Sequence, residues 1–372
     1  MVDATSDVRA GRPLRLGMVG GGRGAFIGAV HRLCARLDGQ YELVAGALSS
    51  DPQRAKDSGA DLGLAADRVY ASFAEMAAAE AKRADGIEAV SIVTPNDSHH
   101  AIARAFLDGG IDVICDKPMT TTVEDAVDLV KSVRRSGLVF GLTHNYTGYP
   151  LVRQAREMVA AGELGRIRVV QAEYVQDWLS TKLEDSGHKQ AGWRVDPQRA
   201  GAGGCIGDIG THAYNLACFV TGLNATELAA DLGRFVPGRQ LDDNVHILLR
   251  LDDGARGMLW ASQVAPGNEN GLRLRVYGEK AGLEWSQEHP NQLRFSPLGQ
   301  PPQTLSRAGP NLGPAAAHAT RIPPGHPEGY LEGFANLYRD LAEQIRARRA
   351  KRKPDPQALL VPTVEDGARG VK

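Results

Sequence analysis

The hexapeptide Gly207-Asp208-Ile209-Gly210-Thr211-His212 sets a carboxylate four residues before an imidazole, where an apolar run with helical period begins. If the helix starts by Asp208, the two side chains share a face, and a carboxylate that orients an imidazole is a general acid/base pair. The plainer alternative is an N-capping aspartate followed by a histidine satisfied in the core. A second candidate is Lys117 in Cys115-Asp116-Lys117-Pro118, just past an apolar tetrapeptide. A buried lysine needs a partner, so a lysine at such a place is read as functional. Thr94-Pro95-Asn96, with His99 close behind, ends another apolar run in the same way.

The third group is Gly20-Gly21-Gly22-Arg23-Gly24-Ala25, in which Gly20, Gly22 and Ala25 satisfy G-x-G-x-x-A. Glycines let a backbone turn tightly against a pyrophosphate, whose charge then rests on helix N–H groups. This spacing is weak in isolation and gains weight from its place between a strand and a helix. Arg23, Ala25, Phe26 and Ile27 belong to the same expected cofactor contact. An acid is expected at the end of the second strand, where a ribose 2′-hydroxyl would be bound. Ser49 stands there instead, and Asp51 reads as a helix cap before Pro52. Ser49, Ser50 and Arg54 could receive a 2′-phosphate, so NAD and NADP both stay open.

These groups need elements to hold them. Between Leu14 and about Thr143, short apolar runs (Leu14–Val19, Tyr41–Leu48, Ala89–Val93, Asp112–Cys115, Val139–Thr143) alternate with segments of helical period such as Phe73–Ala84, His99–Asp108 and Val123–Ser136. Strands without alternation, each followed by a helix, predict a doubly wound parallel sheet. Its ligand crevice lies at the strand C-termini, where Thr94, Pro95, Asn96, His99, Asp116 and Lys117 would line it. After Tyr146 the rhythm changes. A helix near Leu151–Ala161 and a run Ile167–Tyr174 lead into a long glycine- and charge-rich loop. A helix from Thr211 follows, then closely spaced strand-like runs at Glu227–Phe235, Asn244–Leu251, Ala255–Ser262, Leu272–Gly278 and Gly282–Trp285. Asp252-Asp253-Gly254 is a hairpin signal. This half reads as α+β with a mostly antiparallel sheet. Gln300–Pro324 reads as a loop and Tyr330–Arg348 as a closing helix. The division expected is a polar leader over 1–13, a dinucleotide-binding domain over 14–145, a substrate-binding and oligomerisation domain over 146–350, and a tail over 351–372.

Bulk properties narrow the function classes. At roughly 150 residues per domain, 372 residues imply two domains. Lys+Arg 43 against Asp+Glu 44 leaves a net charge of -1, which gives no global field for nucleic acid or an anionic membrane. The basic run Arg346–Lys353 is read as a solvated helix end. Cys34, Cys115, Cys205 and Cys218 form no CxxC pair and stand beside no histidine cluster, so neither a disulfide framework nor a metal site is expected. Met1–Pro13 has no apolar h-region and no window is long enough to span a bilayer. A cytoplasmic protein is expected.

Taken together, these residues resemble the glucose–fructose oxidoreductase/inositol dehydrogenase (Gfo/Idh/MocA) family along nearly the whole chain. The resemblance rests on the glycine loop ending in a histidine (Gly20 to His31), T-P-N-x-x-H (Thr94 to His99), [DE]-K-P (Asp116-Lys117-Pro118) and G-D-I-x-x-H (Gly207 to His212). It implies an N-terminal Rossmann domain and a C-terminal domain with an open-faced sheet that joins copies into a homodimer or homotetramer. It matches Lys117, Asp208 and His212 to the catalytic Lys, Asp and His, and implies a cis Lys117–Pro118 bond. Three departures stand out. The glycine loop carries about three extra residues before Ile27-Gly28 by family spacing, which leaves Ala25 and Gly28 as rivals for the third small position. Ser49-Ser50 replaces the acid found in many NAD-using members. The chain ends at Lys372, inside what resembles the start of the last helix (Pro362–Gly367).

The chemistry implied is oxidation of a ring carbon bearing H and OH. His212 takes the hydroxyl proton, Asp208 orients and stabilises the imidazolium, and Lys117 stabilises the alkoxide. The substrate surface is expected from Asn145, Tyr146, Gln176, Trp178, Trp193 and Arg194, together with Asp208 and His212. Polar groups interleaved with aromatics suit a hydroxyl-rich ring. The Gln176-Asp177-Trp178 run is similar to that of members acting on anhydrosugars and other pyranoses. Lys182, Lys189, Arg194 and Arg199 make this loop locally basic, which would also admit an acidic or sulfonated sugar. The leading expectation is an NAD(P)-dependent dehydrogenase of a cyclic polyol or pyranose. The alternative is a glycosidase that retains NAD and cycles through oxidation, elimination, hydration and reduction. A non-catalytic dinucleotide-binding protein would have no use for the three polar residues.

Overall fold

The computed structural model describes residues 11–372, so most of the expected leader lies outside the described residues. Five strands, β1 (Leu14–Gly20), β2 (Tyr41–Ala47), β3 (Ala89–Val93), β4 (Asp112–Cys115) and β5 (Phe140–Leu142), form an all-parallel sheet in the order β2-β1-β3-β4-β5. Val90, Ile92, Val113 and Ile114 have no exposed surface, which is why these strands read as unbroken apolar runs: helices cover both faces. The connections are α1 (Phe26–Leu37), α2 (Pro52–Asp61), α3 (Phe73–Glu80), α4 (His99–Asp108) and α5 (Val123–Ser136). The turn chemistry behaves as its residues dictate. Asp51 caps α2 by accepting the Arg54 N–H at 2.7 Å, with Pro52 in the first turn. Gly137 ends α5 in the left-handed conformation.

The remaining helices are α6 (Pro150–Ala160), α7 (Lys189–Arg194), α8 (Pro197–Ala200), α9 (Thr211–Thr221), α10 (Pro314–Ala319), α11 (Tyr330–Arg349) and α12 (Val364–Val371). The second sheet has eight strands: β6 (Ile167–Val175), β7 (Ala225–Gly233), β8 (Asn244–Leu251), β9 (Arg256–Ser262), β10 (Gly271–Gly278), β11 (Ala281–Ser286), β12 (Gln292–Pro297) and β13 (Gln303–Ser306). Their order is β13-β12-β11-β10-β6-β9-β8-β7, antiparallel except for the β6–β9 pair. One face packs its Val170, Ala172, Leu259, Leu272 and Leu274 against α6 and α9. On the other face Leu248 is 65%, Met258 46% and Val169 37% exposed, whereas Leu228 of the edge strand β7 pairs with Leu249 and so belongs to the helix-covered side. Among the described residues no helix is long and apolar enough to cross a membrane.

Three expectations are corrected. Gln300–Pro324 is not one loop, because it contains β13 and α10. β13 is a polar edge strand of four residues and α10 has six, too short for either period to show. The strand β12 was likewise unexpected. Most consequential is α11. It does not close the second domain but packs Phe334, Leu337, Tyr338 and Leu341 against Leu14, Leu16, Val30 and Ile114 on the first sheet and α1. From there it reaches back, with Asp340 pairing at 2.6 Å with Arg153 of α6, both side chains fully buried. The helix α12 also returns to the first sheet, seating Gly367 beside Met119 and Leu142.

Candidate active site

The turn after β1 and the start of α1 lie at the C-terminal edge of the first sheet. Gly20 and Gly21 have positive φ. The rivalry for the third small residue is resolved by packing. A Cβ on Gly28 would lie 2.3 Å from the Gly21 Cα and 2.8 Å from its carbonyl oxygen, whereas Ala25 is only the residue before α1. Ala25 has no side-chain cap to offer, so the first N–H groups of α1 are left to a ligand. That arrangement fits a pyrophosphate. Phe26 is 66% exposed beside it, while Ile27 packs inward toward Met18, Leu48 and Val93.

Arg23 is committed to Asp61 (Nε–Oδ2 2.5 Å) and Asp57 (Nη1–Oδ2 3.0 Å) of α2. The Ser49 hydroxyl accepts the Asp51 N–H at 3.1 Å. Ser50 and Arg54 are exposed. Past β3, Thr94 accepts from Ser98 (2.7 Å), Pro95 starts the short turn, and the Asn96 amide donates to the Ala200 carbonyl at 3.2 Å. Asn96 therefore ties α8, part of the second domain's loop, to the first sheet. His99 is corrected from a cofactor contact to a brace. Fully buried at the head of α4, it has Nδ1 2.8 Å from the Pro118 carbonyl and Nε2 2.9 Å from that of Thr94. It joins the ends of β3 and β4. Asp116 works similarly, accepting from the Lys117 N–H (2.8 Å) and the Thr143 hydroxyl (3.0 Å). The Lys117–Pro118 bond is cis.

Lys117, Asp208 and His212 do come together, but not in the expected pairing. The Lys117 ammonium donates to Asp208 Oδ1 at 2.9 Å and to the Asp208 carbonyl. Asp208 Oδ2 accepts from Arg194 Nε at 3.0 Å and Gln263 Nε2 at 2.9 Å. Nothing in this set reaches His212. The reason is local: Ile206–Gly210 form a π-type turn leading into α9. A turn wider than 3.6 residues rotates Asp208 away from the α-helical i,i+4 position, and such turns gather at functional sites. Burial would raise the Asp208 carboxyl, but Arg194 and Lys117 outweigh it and hold the acid far below the usual carboxylate range.

His212 instead faces His144, with the two Nδ1 atoms 3.4 Å apart. Burial, then the positive charge of Lys117, pushes His212 well below the ordinary imidazole range, and Asp208 only partly opposes this. His144 is driven down to about 3 by burial and then Lys117. Both rings are neutral at pH 7. The wall beside them is Tyr146, edge-on to His212 at 4.9 Å between centroids, whose hydroxyl meets that of Tyr174 at 2.6 Å. Tyr174 donates to Asn270 Oδ1 (2.7 Å), which also accepts from Gln176 (3.0 Å). Gln176 in turn accepts from the Trp178 indole (3.1 Å). Asn145 is buried with Nδ2 lacking a partner, a polar atom left to a ligand. The turn holding Asn145 and Tyr146 is pinned by Gly148, where a Cβ would fall 1.9 Å from the Gly333 carbonyl of α11. On the loop side, the Arg194 guanidinium lies 4.3 Å over Trp193 and 5.9 Å from the ring of Trp178.

His144, Gln263 and Asn270 escaped the sequence reading. His144 adjoins Asn145 at the end of β5 and could have been found as a strand-terminal polar residue. Gln263 and Asn270 follow and precede antiparallel strands with no motif around them, and only the fold brings them in. Among the described residues there is no cluster of three or more His, Cys, Asp or Glu able to hold a metal.

Comparison with known proteins agrees with this anatomy. Residues 14–144 match the oxidoreductase family with an NAD-binding Rossmann fold (GFO_IDH_MocA), and residues 152–284 match the GFO/IDH/MocA C-terminal domain. An uncharacterised oxidoreductase of Bacillus subtilis, YfiI, is 37% identical over 97% of this chain and 93% of its own. A crystal structure of an oxidoreductase from Sinorhizobium meliloti is 57% identical, covers 97% of this chain and 95% of its own, and superposes with TM-score 0.88. An inositol dehydrogenase homologue from Azotobacter vinelandii, complexed with NADH and myo-inositol, is 39% identical, with 97% and 93% covered and TM-score 0.89.

Proposed function

The chain belongs to the Gfo/Idh/MocA oxidoreductase family, with its NAD-binding Rossmann domain, and within it we propose a dehydrogenase that oxidises a ring hydroxyl of a cyclic polyol, with pyranoses as the neighbouring substrate class. The observation that carries this is the convergence of Lys117, Asp208 and His212 at the crevice, with the Tyr146–Tyr174–Asn270–Gln176–Trp178 network beside them. The A. vinelandii homologue, bound to myo-inositol, supports the polyol over the sugar.

When bound, the nicotinamide supplies the hydride chemistry. Gly20, Gly22 and the head of α1 would hold the pyrophosphate, with Gly28 letting that helix sit close against Gly21. We assign NAD in preference to NADP, because the carboxylates of Asp57 and Asp61 occupy Arg23 and would repel a 2′-phosphate nearby. Neutral His212 takes the hydroxyl proton. Lys117, held in place by Asp208, presents its ammonium to the oxygen as negative charge develops there. Asp208 thus acts through Lys117, not as the partner of His212. The charges of Arg194 and Lys117 are both engaged by Asp208, which favours a neutral polyol over an acidic sugar.

The apolar face at Val169, Leu248 and Met258 needs a cover, and we propose that a second copy supplies it, as a homodimer or homotetramer, which light scattering would register. The test of function is purified protein with NAD+ or NADP+ and a panel of inositols, pyranoses, anhydrosugars and aryl glycosides. Cofactor reduction is read near ~340 nm and aglycone release by chromatography. Reduced NAD accumulating with an inositol is the expected result. Aglycone release that needs NAD+ without net reduction would replace this reading with the glycosidase.

A further inference from the structure

We infer that His144 is a positioning residue that fixes the proton of His212 on Nδ1, so that His212 Nε2 meets the substrate hydroxyl as a lone pair. The inference rests on the dehydrogenase reading, which decides which ring donates, while the facing of the two rings does not depend on it. The rings stand nearly perpendicular, at 83°, with centroids 5.1 Å apart and Nδ1 facing Nδ1 at 3.4 Å. Among the described residues no other group bonds His212, and the carboxylate of Asp208 is engaged on both oxygens, by Lys117 on one and by Arg194 and Gln263 on the other.

Two facing imidazole nitrogens hold one proton between them. Two lone pairs, or two N–H groups, would oppose each other. If His144 donated, His212 would carry its proton on Nε2 and could not accept another there. If His212 donates, its Nε2 is free, and after transfer the imidazolium still donates from Nδ1 to neutral His144. Only this second arrangement keeps the hydrogen bond intact before and after the step. The substrate O–H bond breaks and an Nε2–H bond forms, the freed oxygen pair closes the C=O bond, and the C–H hydrogen would leave with its electron pair as hydride to an NAD+ held at the glycine turn. The charged groups that bear on the pair are Lys117 and Asp116 at the end of β4, Asp208 in the π-type turn and Asp366 on α12. None of them is hydrogen-bonded to either ring, so among the described residues His144 is the partner through which the tautomer of His212 can be fixed.

The test is long-range 1H–15N correlation on the full chain labelled at its ten histidines, with His212 assigned by its loss in His212→Asn. The wild type is expected to show His212 protonated on Nδ1. His144→Phe, which keeps a flat ring without an acceptor, should shift that tautomer and lower kcat about 10- to 100-fold with little change in KM. His144→Asn, which retains an acceptor, should recover most of it. A wild-type His212 protonated on Nε2 overturns the inference, as do equal kcat values for the Phe and Asn variants. If His144→Phe does not fold, the wild-type spectrum still decides. That spectrum needs no substrate, so failure of the dehydrogenase reading would be seen separately, as silence of the substrate panel.

Discussion

Replacing Asp208 by Asn keeps the shape of the side chain and removes the charge that two cations share. The carboxylate accepts three side-chain hydrogen bonds, from Lys117 on Oδ1 and from Arg194 and Gln263 on Oδ2. An amide has one acceptor. Turned toward Lys117, its NH2 confronts the Arg194 and Gln263 donors; turned the other way, it confronts the ammonium. Breaking a buried pair costs about 3–5 kcal/mol when the surviving charge is stranded. Here each cation keeps a second acceptor, Lys117 the Asp208 carbonyl and Arg194 the Gln190 side chain. The loss should therefore fall to that of one or two charge-assisted hydrogen bonds, about 2–4 kcal/mol. For domains of this size that is a fall in Tm of about 5–12 °C, to be read by calorimetry at pH 7.

The pH dependence gives the reasoning a second handle. The folded carboxyl is held below its unfolded value of about 3.9, with burial opposed and outweighed by Arg194 and Lys117. Its contribution is therefore fully present above that value and is lost as pH falls toward the folded pKa. The gap between wild type and Asp208→Asn should stay constant from about pH 8 to 5 and narrow below about 4. No gap at pH 7, or a gap undiminished at about pH 3, would refute the argument that the charge is what the site uses.

Three further outcomes are expected. Gly28→Ala drives a Cβ into the Gly21 backbone at 2.3 Å and should weaken NADH binding at least tenfold by fluorescence titration, at a cost of about 1–3 kcal/mol in stability. Ala25→Gly should bind nearly as wild type. Lys117→Met should lower kcat about 100- to 1000-fold with NADH affinity within about threefold, so an equal loss of affinity would move the lysine's role from chemistry to binding. All four cysteines are buried and unpaired, and burial lifts the Cys34 thiol to about 12 and that of Cys218 to about 11. The native protein should thus give almost no reaction with a thiol reagent at pH 8, and four thiols after denaturation.

Much of the architecture was legible because it is written locally. Unbroken apolar strands, helical period, the Asp51-Pro52 cap and the Gly137 stop each depend on neighbours within a few residues, and they led to a parallel sheet followed by a mostly antiparallel one. The position of Lys117 was legible for a related reason, since residues just past strand C-termini in such a sheet must line its crevice, while Asp208 and His212 were marked only by a carboxylate standing four residues before an imidazole. How these residues pair was not. The i,i+4 expectation for Asp208 and His212 assumed an α-helical turn, and the π-type turn that replaces it depends on packing around Ile206–Gly210, not on local propensity. Sequence separation hid the rest: His144 lies 68 residues from His212, and Gln263 lies 55 from Asp208. The seat of α11 was hidden too. Its apolar stripe announces that it will be buried, but any complementary surface would satisfy that stripe, and only the assembled first sheet and α1 decide which one does.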